Sequence, residues 1–304
     1  MEKKDNSPLK FSSISELHQI LGVQKPLHPL ISLVDNTELS IDKHYLDRIF
    51  TLDFYKISYK FSENGKIGYG QGYYDFNEGG MMFTAPNQIL FTDTDAEYQG
   101  YTLLIHPDFL HNYPLAKNIK KYGFFSYDTN EALHLSEKEK TLITGLLNNI
   151  NDELNTAIDE ISQDVIISYI EVLLNYSNRF YKRQFITRKV VNHDLLTKME
   201  DLLESYFNTQ NTLTKGLPTV EFLASELNLS KHYLSDMLRN LTGQNAQQHI
   251  HEKLIEKAKE YLTTTNFSVS EVAYQLGFEH SQSFNKLFKK KMNVTPLGYK
   301  QSFN

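Results

Sequence analysis

Near the end of this 304-residue chain, Gln282, Asn285 and Lys286 fall at helical spacing beside His280, Ser281, Lys289 and Lys290. Amides such as Gln and Asn can pair two-pronged with an adenine edge, and lysine suits guanine or phosphate. The set could therefore read bases and hold a phosphate backbone. About fifty residues earlier, Lys231, His232, Ser235, Asp236 and Arg239 make a second outward set. Asp236 is the odd member, because an acid beside phosphates is unfavourable unless it accepts from a cytosine amino group. For Lys289-Lys290-Lys291 the competing reading is a solvated lysine face with no partner.

Other chemistries find no residues. The chain has no cysteine, which removes disulfides, thiolate metal sites and cysteine nucleophiles together. In and around the aromatic region only His44, His106 and His111 are available, with no His-x-His pair. His249 and His251 lie two apart in a helical stretch and so point in different directions. Neither Gly-x-Ser-x-Gly nor a phosphate-binding P-loop occurs. Gly68-Tyr69-Gly70-Gln71-Gly72 has the wrong spacing for a dinucleotide fingerprint and reads as a twisted or loop-shaped strand within Gly68 to Phe76. No catalytic residue, metal or cofactor is expected.

The elements that must present the two outward sets form a repeat. Val220 to Leu229 aligns with Val269 to Phe278, placing Ala224 on Ala273, Leu227 on Leu276 and Asn228 on Gly277. After one extra residue Leu234 falls on Phe284, Met237 on Leu287, Leu238 on Phe288 and Gly243 on Asn293. Each copy predicts a first helix with a small residue, a tight turn at Asn or Gly, and a second amphipathic helix stopped by Gly243 or Asn293. Leu234, Met237, Leu238 and Leu241 must face inward in one copy, and Phe284, Leu287 and Phe288 in the other. Ser268-Val269-Ser270-Glu271 is a capping box. Between the copies, Ala246 to Thr264 carries Ile250, Leu254, Ala258 and Leu262 at steps of four. Nineteen helical residues make a rod of about 28 Å, close to the roughly 34 Å between successive major-groove faces of B-DNA.

The pattern Val-x-Glu-Val-Ala-x-x-Leu-Gly-Phe (Val269 to Phe278), Phe-x-x-x-Phe-Lys-Lys (Phe284 to Lys290) and Thr-Pro-x-x-Tyr (Thr295 to Tyr299) resembles the DNA-binding domain of AraC/XylS-type transcription regulators, over Thr219 to Phe303. The resemblance implies two helix-turn-helix units on a connecting helix. It also implies that His232, Ser235, Asp236, Gln282, Asn285 and Lys286 point into the groove. Asp236 stands where that family commonly has Arg, and Asn293 where it usually has Gly. The N-terminal half resembles only loosely the cupin-like effector domains of such regulators.

In that half, Tyr55, Ile57, Tyr59 and Phe61 alternate ahead of a hairpin signal at Glu63-Asn64-Gly65. Runs at Met81 to Ala85, Gln88 to Thr92 and Tyr98 to His106 continue the spacing, so a small β-barrel or sandwich is expected. An effector pocket within it would draw on Tyr55, Ile57, Tyr59, Tyr69, Tyr73, Phe83, Phe91 and His106. The alternative is that these are ordinary core residues. Ser136 to Glu139 opens a helix to about Leu154. Ile158, Ile161, Val165, Tyr169, Val172 and Tyr176, widened by Ile166 and Ile170, mark a longer one. So broad an apolar arc suggests self-association, against simple packing within its own domain.

The expected architecture is α+β with two domains: a cupin-like β-barrel or sandwich with flanking helices over 1–182, a polar linker at 183–192, and an all-α domain with two helix-turn-helix units over 193–304. The net charge of −6 hides an asymmetry: residues 210–304 hold 11 Lys and Arg against 8 Asp and Glu, and residues 1–209 hold 20 against 29. No apolar run reaches the roughly 18 residues of a membrane span, and MEKKDNSPLK leads into no apolar stretch, so a cytoplasmic protein is expected. The expected partners are double-stranded DNA, a small-molecule effector and a second copy in a homodimer, with RNA polymerase a further candidate and no membrane. The alternatives are a regulator answering to a peptide or protein, and a cupin-type metal enzyme fused to a DNA-binding tail.

Overall fold

The alternating stretch after Asp53 forms strand β4 (Tyr55–Lys60), with Tyr55, Ile57 and Tyr59 buried on one face. The structure, a computed structural model, describes residues 8–41, 45, 48–61, 66–69, 72–75, 80–91, 99–128, 131–156, 161–187, 189–209 and 211–303, with the backbone alone at 66–69, 72–75, 91 and 189–191. The chain divides into two units, Met1–Gln184 and Phe185–Asn304.

The first unit also contains β1 (Leu9–Phe11), β2 (Ile31–Asp35), β3 (Ile49–Leu52), β5 (Lys66–Tyr69), β6 (Gly72–Asp75), β7 (Gly80–Thr84), β8 (Ile89–Phe91), β9 (Gly100–Ile105) and β10 (Leu133–His134). Its helices are α1 (Ile14–Leu21), α2 (Leu115–Asn118), α3 (Glu137–Asn155) and α4 (Ser162–Thr187). The strands form three sheets, ordered β1-β3-β8, β10-β7-β4-β9-β2 and β5-β6. The cupin-like barrel is corrected on this point: among the described residues no sheet closes, and the largest ends at β10 and β2. The stretch read as a twisted or loop-shaped strand from Gly68 contributes to two strands, paired antiparallel with Tyr69 opposite Gly72; Gly70 and Gln71 lie outside the described residues. The hairpin signal at Glu63-Asn64-Gly65 lies outside the described residues.

Tyr55 and Phe83 pack on Phe125, and Phe83 on Phe124, with ring centroids 4.4–5.5 Å apart, while Phe124 stacks on Tyr181 of α4. On the other face of the large sheet, Leu104 and Val34 bury against α1, Leu52 and Leu90. Ile57 and Tyr59 are buried as well, so four of the eight side chains expected around an effector belong to the packed interior. His106 caps the turn at Pro107–Leu110, its Nδ1 accepting from the Asp108 N–H at 3.3 Å. The side chains of Tyr69, Tyr73 and Phe91 lie outside the description.

In α3 the capping box is present, with Glu139 accepting from the Ser136 N–H at 2.8 Å. The stripe read on α4 needs correction. The buried face includes Ile166, Ile167, Ile170, Leu173, Leu174, Ser177, Phe180 and Tyr181. Val165, Tyr169 and Tyr176 are only half-buried, Val172 is 39% and Ile161 63% exposed, and Ile158 lies outside the described residues. The polar linker is corrected too: Arg183–Thr187 ends α4, and 189–192 begins α5 (Lys189–Asn208). Its polar residues have partners. Arg183 grips Glu139 Oε2 at 2.6 Å and the His134 carbonyl at 2.8 Å, and the buried Gln184 accepts from the His134 N–H at 2.8 Å.

The second unit continues with α6 (Asn211–Lys215), α7 (Val220–Glu226), α8 (Lys231–Thr242), α9 (Ala246–Thr264), α10 (Val269–Gln275), α11 (Ser281–Met292) and α12 (Pro296–Gln301). Helix α9 has the bounds expected of the rod, and Ile250, Leu254, Ala258 and Leu262 are buried along it. No helix among the described residues is long and apolar enough to cross a membrane. Helix α5 is fastened to α9 by Glu204, whose carboxylate meets Lys253 at 2.5 Å and Lys257 at 2.9 Å. Lys253, then Lys257 and Asn208, hold the Glu204 carboxyl down at about 2, from an ordinary 4.5. A carboxyl depressed in the fold stabilises it above the unfolded pKa, and that stability fades as the pH falls toward the folded value. Thermal melts of Glu204→Gln should therefore lie below those of the parent at neutral pH, with the gap closing between about 4.5 and 2.

Candidate nucleic-acid interface

Each first helix of the repeated pair is capped by a hydroxyl or capping box. Thr219 Oγ accepts from the Phe222 N–H at 3.0 Å, and Ser268 from the Glu271 N–H at 3.2 Å. Each helix ends the same way. Leu229 N–H donates to Ala224 O at 2.9 Å, and Phe278 N–H to Ala273 O at 3.0 Å. That bond spans five residues and requires a left-handed residue inside it, which is Asn228 (φ 54°) in one copy and Gly277 (φ 91°) in the other. Ala224 and Ala273 are buried at the crossings.

Only the second turn demands glycine. A Cβ on Gly277 would lie 2.8 Å from the Gly216 carbonyl carbon and 2.9 Å from Thr212 O, both main chain. The second helices stop at Gly243 (φ 80°) and Asn293 (φ 60°), and around Gly243 there is open space.

Helix α8 buries Tyr233, Leu234, Met237 and Leu238 and leaves Lys231, His232 and Arg239 exposed, with Ser235 and Asp236 half-buried. Helix α11 buries Phe284 and Phe288 and exposes Gln282, Asn285, Lys286, Lys289 and Lys290; His280 is exposed ahead of it and Ser281 is half-buried. Leu241 and Leu287, both expected to face inward, are half-buried at the rims. The repeat therefore brings each outward set together on one helix.

The family description of a helix-turn-helix domain matches residues 223–302, the stretch in which these two units lie. This part of the chain is an AraC-type helix-turn-helix domain. Over 116 residues the chain is 31% identical to an uncharacterized HTH-type transcriptional regulator in the cgkA 5′ region of Pseudoalteromonas carrageenovora, covering 38% of this chain and 64% of that protein. With the raffinose operon regulatory protein RafR of Pediococcus pentosaceus it shares 32% over 106 residues, 35% of this chain and 37% of the relative. An uncharacterized HTH-type regulator of Bacillus subtilis, YfiF, matches at 21% over 261 residues, covering 84% and 80%. The chain thus spans less than two thirds of the first two of these three relatives. Among solved structures, the C-terminal domain of the response regulator yesN from Fusobacterium nucleatum aligns at 31% identity over 35% of this chain and 98% of that one, with a TM-score of 0.31.

The two units of the AraC-type domain differ in charge. In α8, Arg239 Nη1 is bound to Asp236 Oδ1 at 2.7 Å, and Lys231 reaches Glu221 at 3.2 Å. In α11, Lys286, Lys289, Lys290 and Lys291 stand with no acid in the helix, and among the described residues none of the four is paired with a carboxylate. Three of them lie in its last turn, where the helix dipole favours cations. Their field extends to α9: His251 is pushed down from its ordinary value by burial first, and then by Lys291 and Lys290. The pairing of Asp236 with Arg239 was not visible from the residue types alone; their three-residue separation on a helix was the available signal.

Alanine at the two glycines separates conformation from space. Gly243→Ala should cost roughly 1–2 kcal/mol, the left-handed penalty by itself. Gly277→Ala adds a main-chain collision and should cost about 4 kcal/mol or more, read as a much larger fall in denaturant midpoint at unchanged m-value.

Proposed function

We propose that the chain is a sequence-specific DNA-binding transcription regulator, with an N-terminal unit that takes up an effector and a C-terminal domain that reads two successive major grooves. The observation that carries this reading is the cationic face of α11, which meets no carboxylate among the described residues and presents Gln282, Asn285 and Lys286 beside Lys289 and Lys290. Amides and one lysine near the start of the helix suit base edges, and lysines further along suit phosphates. Helix α9 supports the two-groove reading: at about 28 Å it is slightly shorter than the roughly 34 Å groove repeat, so the operator bends toward the protein. Helix α8, with both cations held by carboxylates, contributes less to the electrostatic part of binding.

Effector binding acts by favouring one arrangement of the DNA-reading parts over another. Self-association through the half-open apolar side of α4 would supply a second copy of those parts; the exposure of Val172 and Ile161 supports this. Val172→Glu should then shift a sedimenting dimer toward monomer while leaving the thermal midpoint within a degree or two.

Selection of bound sites from random duplexes tests the reading directly. Gln282→Ala or Lys286→Ala should relax base preference in one groove, at about 1–3 kcal/mol per lost base contact. Lys290→Ala should weaken all duplexes alike and lower the salt slope by about one. Asp236→Ala should tighten binding evenly, because it frees Arg239 for a phosphate. A protein that prefers no duplex over its scrambled counterpart would end this assignment.

A further inference from the structure

The N-terminal unit contains a cleft of about 360 Å³ that the DNA reading does not use. Its lining takes in the whole of β2, three asparagines of α3 (Asn148, Asn151 and Asn155), and His18 of α1. Strand β2 ends its sheet, and among the described residues β9 is the one strand paired with it. His106 N–H donates to Leu30 O at 2.8 Å, and the register runs from Ile31 opposite Ile105 to Asp35 opposite Tyr101. By the two-residue alternation of an antiparallel ladder, Ser32 and Val34 exchange bonds with β9. The N–H and C=O of Leu33 and the N–H of Asp35 therefore turn to the free edge, while Ile31 is taken by a bridge to His28.

His18 is 4% exposed, and its Nδ1 donates to the Gln24 carbonyl at 2.5 Å. Its Nε2 is buried without a partner among the described residues. Asn148 and Asn151 are exposed; the Asn148 amide offers a donor and an acceptor together, while Asn151 Oδ1 already accepts from Asn155 Nδ2 at 3.2 Å and its own amide N–H groups face outward as donors. From Asn148 to Asn155 the helix rises about 10.5 Å, against about 10 Å for three residues of extended chain. The charges in the lining are mixed, Lys25 with Asp35 and Glu38, which gives an ionic ligand little net attraction.

We propose that this cleft binds an extended peptide of about three residues, laid along β2 as an added strand. Leu33 supplies a donor and an acceptor for the peptide main chain. The asparagine row can bond its other side. A strand edge facing a row of amides matches the alternating groups of a peptide better than the clustered groups of a compact solute. The proposal rests on the regulator reading only for its consequence, that this peptide is the effector.

A displayed library of random heptapeptides, panned on the full-length chain, provides the probe, and selected peptides are titrated by calorimetry. Binders should emerge that weaken at least tenfold against Asn148→Ala/Asn151→Ala, a pair on the exposed side of α3 whose removal leaves the fold intact. The same peptides should lose at least tenfold when alternate main-chain nitrogens are methylated, which side-chain recognition would survive. The proposal is overturned by a library with no binder above background, or by binders indifferent to both changes. It is equally overturned by a dimer that dissociates on Leu33→Pro at unchanged thermal midpoint, since the edge would then belong to a second copy. Duplex affinity measured with and without the peptide is a separate readout: binding that leaves it unchanged supports the cleft and removes only the effector role.

Discussion

A single backbone requirement governs the C-terminal domain: the residue after each first helix must turn left-handed so that the next amide can close back onto the helix. Asn228 and Gly277 meet it, and the bonds from Leu229 to Ala224 and from Phe278 to Ala273 follow. The small alanines at those acceptor positions sit at the helix crossings. Once the crossing is set, the period of α8 and α11 decides which side chains are buried and which face outward. The exposed amides and lysines are thus placed by a turn some residues before them.

Much of this was legible because local chemistry and tertiary packing agree in the tail. The rod from Ala246 to Thr264, the stops at Gly243 and Asn293, and the inward sets led by Leu234 and Phe284 depend on periods and caps that a sequence displays. The front half was harder, for identifiable reasons. Strands such as Leu9–Phe11 and Leu133–His134 are two or three residues long and owe their existence to partners far away in sequence. The stretch from Arg183 was misread because polarity signals a linker only when the polar groups face water. Here Arg183 and Gln184 are bound to Glu139 and His134, which no local pattern reveals. On α4 the apolar arc was visible, but not which part of it the sheet covers, since aromatic and β-branched residues occur on both sides.

The duplication has not stayed symmetrical. One turn accepts asparagine while its counterpart is pressed against Thr212 and Gly216, and one second helix has both its cations paired with carboxylates, Asp236 in the same helix and Glu221 in α7, while among the described residues the lysines of the other meet none. The same topology therefore supports two different electrostatic surfaces, separated by a helix pinned through Glu204. Surface ion pairs of this kind add little to stability, so the pair on α8 matters more for the cation it withholds than for the helix it braces.

Four lysines that meet no carboxylate among the described residues have a practical consequence at the bench. Such a surface attracts any polyanion through released counterions, whatever its sequence. Retention of the protein on a polyanion such as heparin should therefore fall steeply as the salt concentration is raised.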